Sequence, residues 1–578
     1  MRLNQKLLIS RFLWALLVCS PALLEARMHP EHAANAMVVS VHERASRAGV
    51  EIMQFGGNAI DAAVATGFAL AVVHPQAGNL GGGGFMLIRM ADGATHFLDF
   101  RELAPAAATA GMYLDERGDV IENASLVGYK AIGVPGSVAG LVAAERKYGK
   151  LSLARVIAPA IKLAREGYPL AYEDARDFRD KDLARFPESR KIFQRSGKYY
   201  ESGEVFRQPD LARTLERIAN NPDDFYRGAM ARELAAAVQK GGGLLTAEDL
   251  AHYEVKEREA VRGTYRGYEV IGAPPPSSGG IALIEILNIL EGYDLAKSGD
   301  HSAQTMHLTV EAFRRAFFDR AEFLGDPDFA KIPVAQLIDK KYGAAWRESI
   351  DPAHVTPSKD LTRPKSFSEL EQYAAVHPQP LNIREPEHTT HYSVADTQGN
   401  AVAVTTTLND IFGSGVTADG LGFLLNDEMD DFASKPGVPN AYGLIQGPAN
   451  VIGPAKRPLS SMAPTIVLKD GKLFLILGSP GGARIISTVA NILLGVLDYG
   501  MNIQQAVDAP RFHHQWMPDT TFIEQGISPD TRKELNARGH TIEQELYWSD
   551  GECIAVVGRS GELLGASDSR NNGKALGF

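Results

Sequence analysis

Between Thr389 and Thr407 the chain reads as two short strands whose connecting turn dictates how they pair. Thr390 to Ala395 is one run of β-forming residues. Asp396-Thr397-Gln398-Gly399-Asn400 is turn sequence, and Ala401 to Thr407 is a second β run. A hairpin symmetric about Gln398 sets Thr389 opposite Thr407, with side chains about 4.5–5.5 Å apart. A bulge would shift that register. The competing reading is an ordinary edge strand in which the two threonines have no special role.

A threonine hydroxyl is a poor nucleophile without a base, and no Ser-His-Asp signature surrounds Thr389. The position makes chemical sense if the His388–Thr389 bond is cut, because the new α-amine becomes the base. That amine titrates near ~7.7–8 and can take the hydroxyl proton at neutral pH. The preceding stretch suits a cut. From Thr356 to Pro386 the chain is polar and carries Pro357, Pro364, Pro378, Pro380 and Pro386, the composition of an exposed, poorly ordered linker.

Upstream, Gly56-Gly57-Asn58-Ala59-Ile60-Asp61 opens a helical run of small residues, Ala62 to Val73. His74 to Leu80 and four glycines, Gly81 to Gly84, then precede an apolar strand, Phe85 to Ile88. A phosphate-binding loop lies between a strand and a helix and needs Gly-Lys-Ser/Thr, so a nucleotide site fails on order and on residues. The glycines are expected to allow close backbone approach or positive φ. Helices are expected over Ala139–Tyr148, Leu153–Arg165, Asp210–Asn220, Met230–Gln239 and Ile281–Leu290. The last follows Pro274 to Gly280, read as a rigid approach and a flexible hinge.

The ends and the charge narrow the classes further. Arg2 and Lys6 precede an apolar stretch, roughly Phe12 to Leu24, that ends near the small residue Ala26. This is the pattern of a secretory signal peptide over residues 1–26, too short for a comfortable membrane span, with an uncleaved anchor as the alternative. The protein is therefore expected to be exported, periplasmic or secreted. Removing that segment leaves Cys553 as the only cysteine, which rules out an internal disulfide or a cysteine metal site. A net charge of −11 argues against a nucleic-acid partner.

Three clusters follow the hairpin. Asn426-Asp427-Glu428-Met429-Asp430-Asp431 is an acidic knot, readable as solvated surface, as a calcium site or as a receptor for a substrate ammonium. It lacks the spacing of an EF-hand loop. Lys456 to Met462 offers the hydroxyls of Ser460 and Ser461. An apolar strand, Leu473 to Leu477, runs into Gly478-Ser479-Pro480-Gly481-Gly482-Ala483, where consecutive N–H groups can form an oxyanion hole.

With Thr389, these stretches resemble the gamma-glutamyltransferases of the N-terminal-nucleophile hydrolase superfamily. The resemblance covers nearly the whole mature chain. It rests on His74 to Phe85, Asp99-Phe100-Arg101-Glu102, Thr389 to Ser393, Thr407-Leu408-Asn409, Met429 to Phe432, Leu459 to Met462 and Pro480-Gly481-Gly482, in that order. It implies an α+β fold, a four-layer αββα sandwich formed as one unit by two chains cut from one precursor. Those chains would be a large subunit, residues 27–388, and a small subunit, residues 389–578.

The resemblance also implies roles. Thr389 would be the nucleophile in self-cleavage at His388–Thr389 and in catalysis, with Thr407 bonded to it. Arg101, Ser460 and Ser461 would hold the substrate α-carboxylate, and Asn409, Glu428 and Asp431 its α-ammonium, at the opposite end of the pocket. Gly481 and Gly482 would hold the oxyanion. Some members carry Gln in place of Glu428. The bland alternative for Arg101 is a surface salt bridge with Asp99 or Glu102. Pro436 to Gln446, with Tyr442, resembles the lid of many members.

The implied partners are glutathione and other γ-glutamyl compounds, with amino acids or dipeptides as acceptors. No metal or organic cofactor is implied, and His29, His32, His513 and His514 are read as incidental. The alternatives are a glutaryl- or cephalosporin-type acylase on the same fold, and a non-catalytic binding protein that has kept it.

Overall fold

The computed structural model describes residues 29–372, 388–558 and 561–578; the expected signal segment 1–26 and residues 373–387 lie outside them. Two seven-stranded sheets form the centre. In sheet I the strands run in the order Glu31–Ala33, Glu562–Ser567, Glu552–Val557, Lys472–Leu477, Thr465–Lys469, Tyr268–Gly272 and Val261–Tyr265. In sheet II the order is Lys574–Gly577, Met37–Ser40, Thr389–Ala395, Ala401–Thr407, Gly83–Arg89, Thr95–Phe100 and Lys256–Arg258. All pairings within these sheets are antiparallel. Both sheets take strands from either side of Thr389.

The period of two along each strand sorts the core. Phe85, Leu87, Ala401 and Ala403 join the cluster that lies between the sheets and continues through sheet I to helices Gly279–Leu290, Ala303–Phe323 and Arg484–Leu497. The alternate residues Met86, Ile88, Val402 and Val404 join a second cluster under helices Glu43–Gln54, Ala59–Val73, Ser137–Tyr148 and Leu153–Glu166. Helix, sheet, sheet, helix is the expected αββα sandwich. Ala59–Val73 starts from a capping box of Asn58 and Asp61, and all its residues are buried, as its small side chains predict.

Thr389–Ala395 is no edge strand, because Met37–Ser40 and Ala401–Thr407 flank it on both sides. Parity decides where its side chains point. Thr389 and Thr407 share the parity of Ala401 and Ala403, so their hydroxyls face the gap between the sheets. The glycines before Phe85 serve close approach. A Cβ on Gly82 would collide with the Thr407 carbonyl oxygen, so glycine lets this strand close against the hairpin.

Two expectations about loops fail. Gly279 and Gly280 are no flexible hinge, since they are buried and form the first turn of Gly279–Leu290. The segment from Thr356 is not an exposed linker over its described part, residues 356–372. Ser358 is buried, donating its hydroxyl to the Trp516 carbonyl at 2.6 Å and its N–H to Asp519 at 2.7 Å. Arg363 lies over the rings of Phe318 and Phe323 and donates to Asp319 at 2.7 and 2.9 Å. The segment takes 3₁₀ turns over Ser358–Asp360 and Lys365–Gln372, and Leu361, Arg363 and Leu370 find buried partners.

Candidate active site

The hairpin is aligned by its turn. Asp396 accepts from the N–H groups of Gln398 at 2.9 Å and Asn400 at 3.1 Å, and Gly399 takes a φ of 88°. The other Asp396 oxygen accepts from Ala59 N–H at 2.9 Å, tying the turn to the start of the central helix. The resulting register is the expected one, with Thr389 opposite Thr407. Their Oγ1 atoms stand 3.3 Å apart. Thr407 also donates to the His388 carbonyl at 3.1 Å and accepts from Asn409 N–H at 2.9 Å. With its one proton on that carbonyl, Thr407 is left to accept the proton of Thr389.

Thr389 and Thr407 open on a cavity of about 20 Å³, room for little more than a water. Arg101, Asn409, Glu428, Asp431, Tyr442, Ser460, Ser461 and Gly482 line it as well. Gly481 and His388 adjoin the wall without lining it. Leu444, Met462 and Ile485 complete the lining; the first two fall in stretches the sequence singled out, and Ile485 does not.

Arg101 is neither exposed nor paired at the surface. It is 1% accessible, Asp99 accepts only its backbone N–H, and Glu102 stands 3.8 Å from its guanidinium. Its close ion-pair partners are Glu428 and Asp431. The proposed carboxylate and ammonium ends therefore meet directly, which corrects the expectation of opposite ends. Burial opposes the Arg101 charge, but Glu428, Asp431 and Glu102 outweigh it and hold the pKa above the ordinary range. Burial drives the Glu428 carboxyl well above the usual range despite Arg101, and lifts Glu102 to about 7. Beyond the ionic contact of Glu428 with Arg101 and the approach of the Glu102 and Glu428 carboxyls to each other, the oxygens of both are buried without a side-chain donor among the described residues. Buried acceptors of this kind call for a donor.

The acidic knot is thus not solvated surface. Asn426, Asp427, Glu428 and Asp430 are buried, and Glu428–Asp431 form a 3₁₀ turn. Among the described residues no three His, Cys, Asp or Glu side chains are grouped to hold a metal ion. His513 instead lies 2.8 Å from Ser487 and 2.9 Å from Gln515, and His514 accepts from Trp516 N–H.

The Pro436–Gln446 segment closes one side. Tyr442 donates to the Asn409 carbonyl at 2.7 Å, Asn440 donates to Asp431 at 3.2 Å, and Gln446 donates to the Asp431 carbonyl at 3.0 Å. A Cβ on Gly482 would collide with the Tyr442 ring, and φ is 120° at Gly481 and 54° at Gly482. No hydrogen bond runs from either N–H to a backbone acceptor among the described residues.

Sequence reasoning missed Arg320. It lies on Ala303–Phe323, 2% accessible, and donates to Ser461 Oγ at 3.1 Å. A signal was present, since that helix carries charge on faces that also bear its apolar residues.

A sequence model of the family described as Gamma-glutamyltranspeptidase matches residues 45–578. The chain is 49% identical over 547 residues to a glutathione hydrolase proenzyme of Escherichia coli (strain K12), covering 94% of this chain and 92% of that one. It is 50% identical over 572 residues to a glutathione hydrolase proenzyme of Pseudomonas sp. (strain A14), covering 96% of each. Among solved structures, a cephalosporin acylase from Bacillus halodurans aligns with a TM-score of 0.81 at 28% identity, covering 96% of this chain and 97% of that one.

Proposed function

The chain belongs to the gamma-glutamyltranspeptidase family, and we propose that it is a gamma-glutamyltransferase with glutathione hydrolase activity, made as a precursor that cuts itself. The observation that carries this is the pairing of the Thr389 and Thr407 hydroxyls beside a cavity walled by one buried guanidinium and two carboxyls. The Escherichia coli and Pseudomonas relatives share about half their residues with this chain and are named for glutathione hydrolysis. The acylase is much less similar in sequence.

In the precursor, Thr389 Oγ attacks the His388 carbonyl carbon while Thr407 polarises its oxygen. The amide nitrogen leaves as the Thr389 α-amine, giving an ester that water hydrolyses. Chains 27–388 and 389–578 result. In turnover the α-amine takes the Thr389 proton, and Oγ attacks the γ-carbonyl of glutathione or another γ-glutamyl compound. The N–H groups of Gly481 and Gly482 hold the oxyanion. The α-amine protonates the departing amine, and water or an amino acid or dipeptide amine then resolves the γ-glutamyl ester.

The substrate is a zwitterion, and the site holds its own zwitterion in Arg101 with Glu428 and Asp431. The α-carboxylate joins Arg101, Ser460 and Ser461 while the α-ammonium takes the carboxyls, so each buried charge exchanges one partner for another. Asn409 and the Tyr442 lid shape the ammonium side.

Comparing γ-glutamyl p-nitroanilide with glutaryl p-nitroanilide tests the substrate, and intact-mass analysis tests the cut. The expected result is preference for the γ-glutamyl compound and two chains that join at Thr389, both lost in Thr389→Ala. Preference for the glutaryl compound would assign an acylase. A single uncut chain after long incubation would contradict the mechanism.

A further inference from the structure

Helix Ala303–Phe323 carries several charged side chains into the core, and most are neutralised there. Arg314 pairs with Glu311 and Asp519, Arg315 with Glu311, and Asp319 with Arg363. Arg320 differs. Its Nε donates to Ser278 Oγ at 3.0 Å and its Nη2 to Ser461 Oγ at 3.1 Å, while Nη1 is buried without an acceptor. No carboxylate among the described residues lies within ion-pair distance of it. A guanidinium held by two neutral hydroxyls and removed from water is costly. Burial pulls its pKa down to about 10, with Asp431 and Arg101 near enough to act on its charge.

Both hydroxyls lead to the cavity. Ser461 lines it. Ser278 donates its Oγ proton to the Ser460 carbonyl at 2.7 Å and its N–H to the same oxygen at 2.8 Å. Ser460 N–H in turn donates to the Pro276 carbonyl at 2.9 Å. The Pro274–Gly280 stretch is therefore the bed of the serine pair, and Arg320 is the cation beneath it. Because Ser461 Oγ accepts from Arg320, its own proton is free to point into the cavity. Arg101, by contrast, already meets Glu428 and Asp431.

We propose that Arg320 is a positioning residue for the substrate α-carboxylate: it orients Ser461 as a donor and supplies, through that hydroxyl, a second positive charge which the protein leaves unneutralised. This rests on the γ-glutamyl reading of the site. A carboxylate against Ser461 gives Arg320 the anion it otherwise lacks. The reaction at Thr389 is unaffected once substrate is seated, so Arg320 acts on KM.

The test is a cycle of Arg320→Met, Ser461→Ala and the double variant, assayed for kcat and KM with γ-glutamyl p-nitroanilide. Arg320→Met is expected to raise KM by ~10-fold or more, the scale of a hydrogen bond to a charged group, with kcat within ~3-fold. In the Ser461→Ala background the same change should move KM by less than ~2-fold, because the path to the carboxylate is gone. Equal effects in both backgrounds, or a loss confined to kcat, would overturn the assignment and leave Arg320 a structural staple. If intact mass shows that Arg320→Met does not mature, Arg320→Lys carries the same cycle, and additive losses again overturn it. Wild-type protein that releases no nitroaniline sinks the γ-glutamyl reading itself, whereas active wild type with additive losses sinks only the role of Arg320.

Discussion

Three carboxyl groups surround the single guanidinium of Arg101, so they cannot all be ionised at little cost. Glu102 yields in a way that can be measured. Burial lifts its carboxyl to about 7, against the pull of Arg101, from an unfolded value near 4.5. A raised folded pKa means that the stabilising contribution is complete below about 4.5 and is lost as pH rises through about 7. Glu102→Gln has no such titration. In the uncut Thr389→Ala chain, the stability of the protein that keeps Glu102, relative to one that also carries Glu102→Gln, should therefore fall between pH 4.5 and 7.5, by an amount on the order of 2–3 kcal/mol. Urea unfolding at the two pH values measures this, and parallel pH dependence in the two chains would contradict it. None of this crowding was legible in the sequence, where Arg101 and Asp431 are far apart. Residue type suggested a zwitterion site, but only the fold could show its two halves pressed together.

At the scale of elements, the hairpin was the most legible part, because a five-residue turn without a bulge leaves one register and parity does the rest. Asp396 enforces it with one carboxylate that serves two turn N–H groups, the Asn400 amide at 2.7 Å and the Ala59 N–H. Asp396→Ala leaves buried donors unpaired and should cost ~2–4 kcal/mol. It should also slow self-cleavage, since a slip of one residue turns Thr389 toward the helices. Urea unfolding in the Thr389→Ala background and an intact-mass time course in the native background check both effects; unchanged midpoint and rate would show that the turn does not govern the nucleophile. The segment from Thr356 was misread for a related reason. Proline content reports chain direction, whereas burial there depends on Arg363 meeting Asp319 and two phenylalanine rings from a distant helix. Arg320 escaped notice likewise, because charged residues mixed among apolar ones along Ala303–Phe323 show no single buried face in the sequence, and only the packed fold sets that side chain under Ser461.

At the scale of the molecule, a cut between His388 and Thr389 divides neither sheet from the other. Residues before the cut supply Met37–Ser40, Gly83–Arg89, Thr95–Phe100 and Lys256–Arg258 to sheet II, and residues after it supply the other three strands. Sheet I is shared in the same way. The inserted strand Thr389–Ala395 is bonded on one side to each part of the chain. Neither product can then close a core alone, because each would expose the apolar faces that the other covers. The two chains should migrate as one particle in native size-exclusion chromatography and separate only under conditions that unfold both. Cutting also makes unfolding a dissociation. The midpoint of the matured protein should rise with protein concentration by mass action, whereas that of uncut Thr389→Ala should not move. A folded small chain eluting alone without denaturant would refute this. So would a concentration-independent midpoint in protein shown by mass to be fully cut, since the coupling follows from strands of both chains being hydrogen-bonded within one sheet.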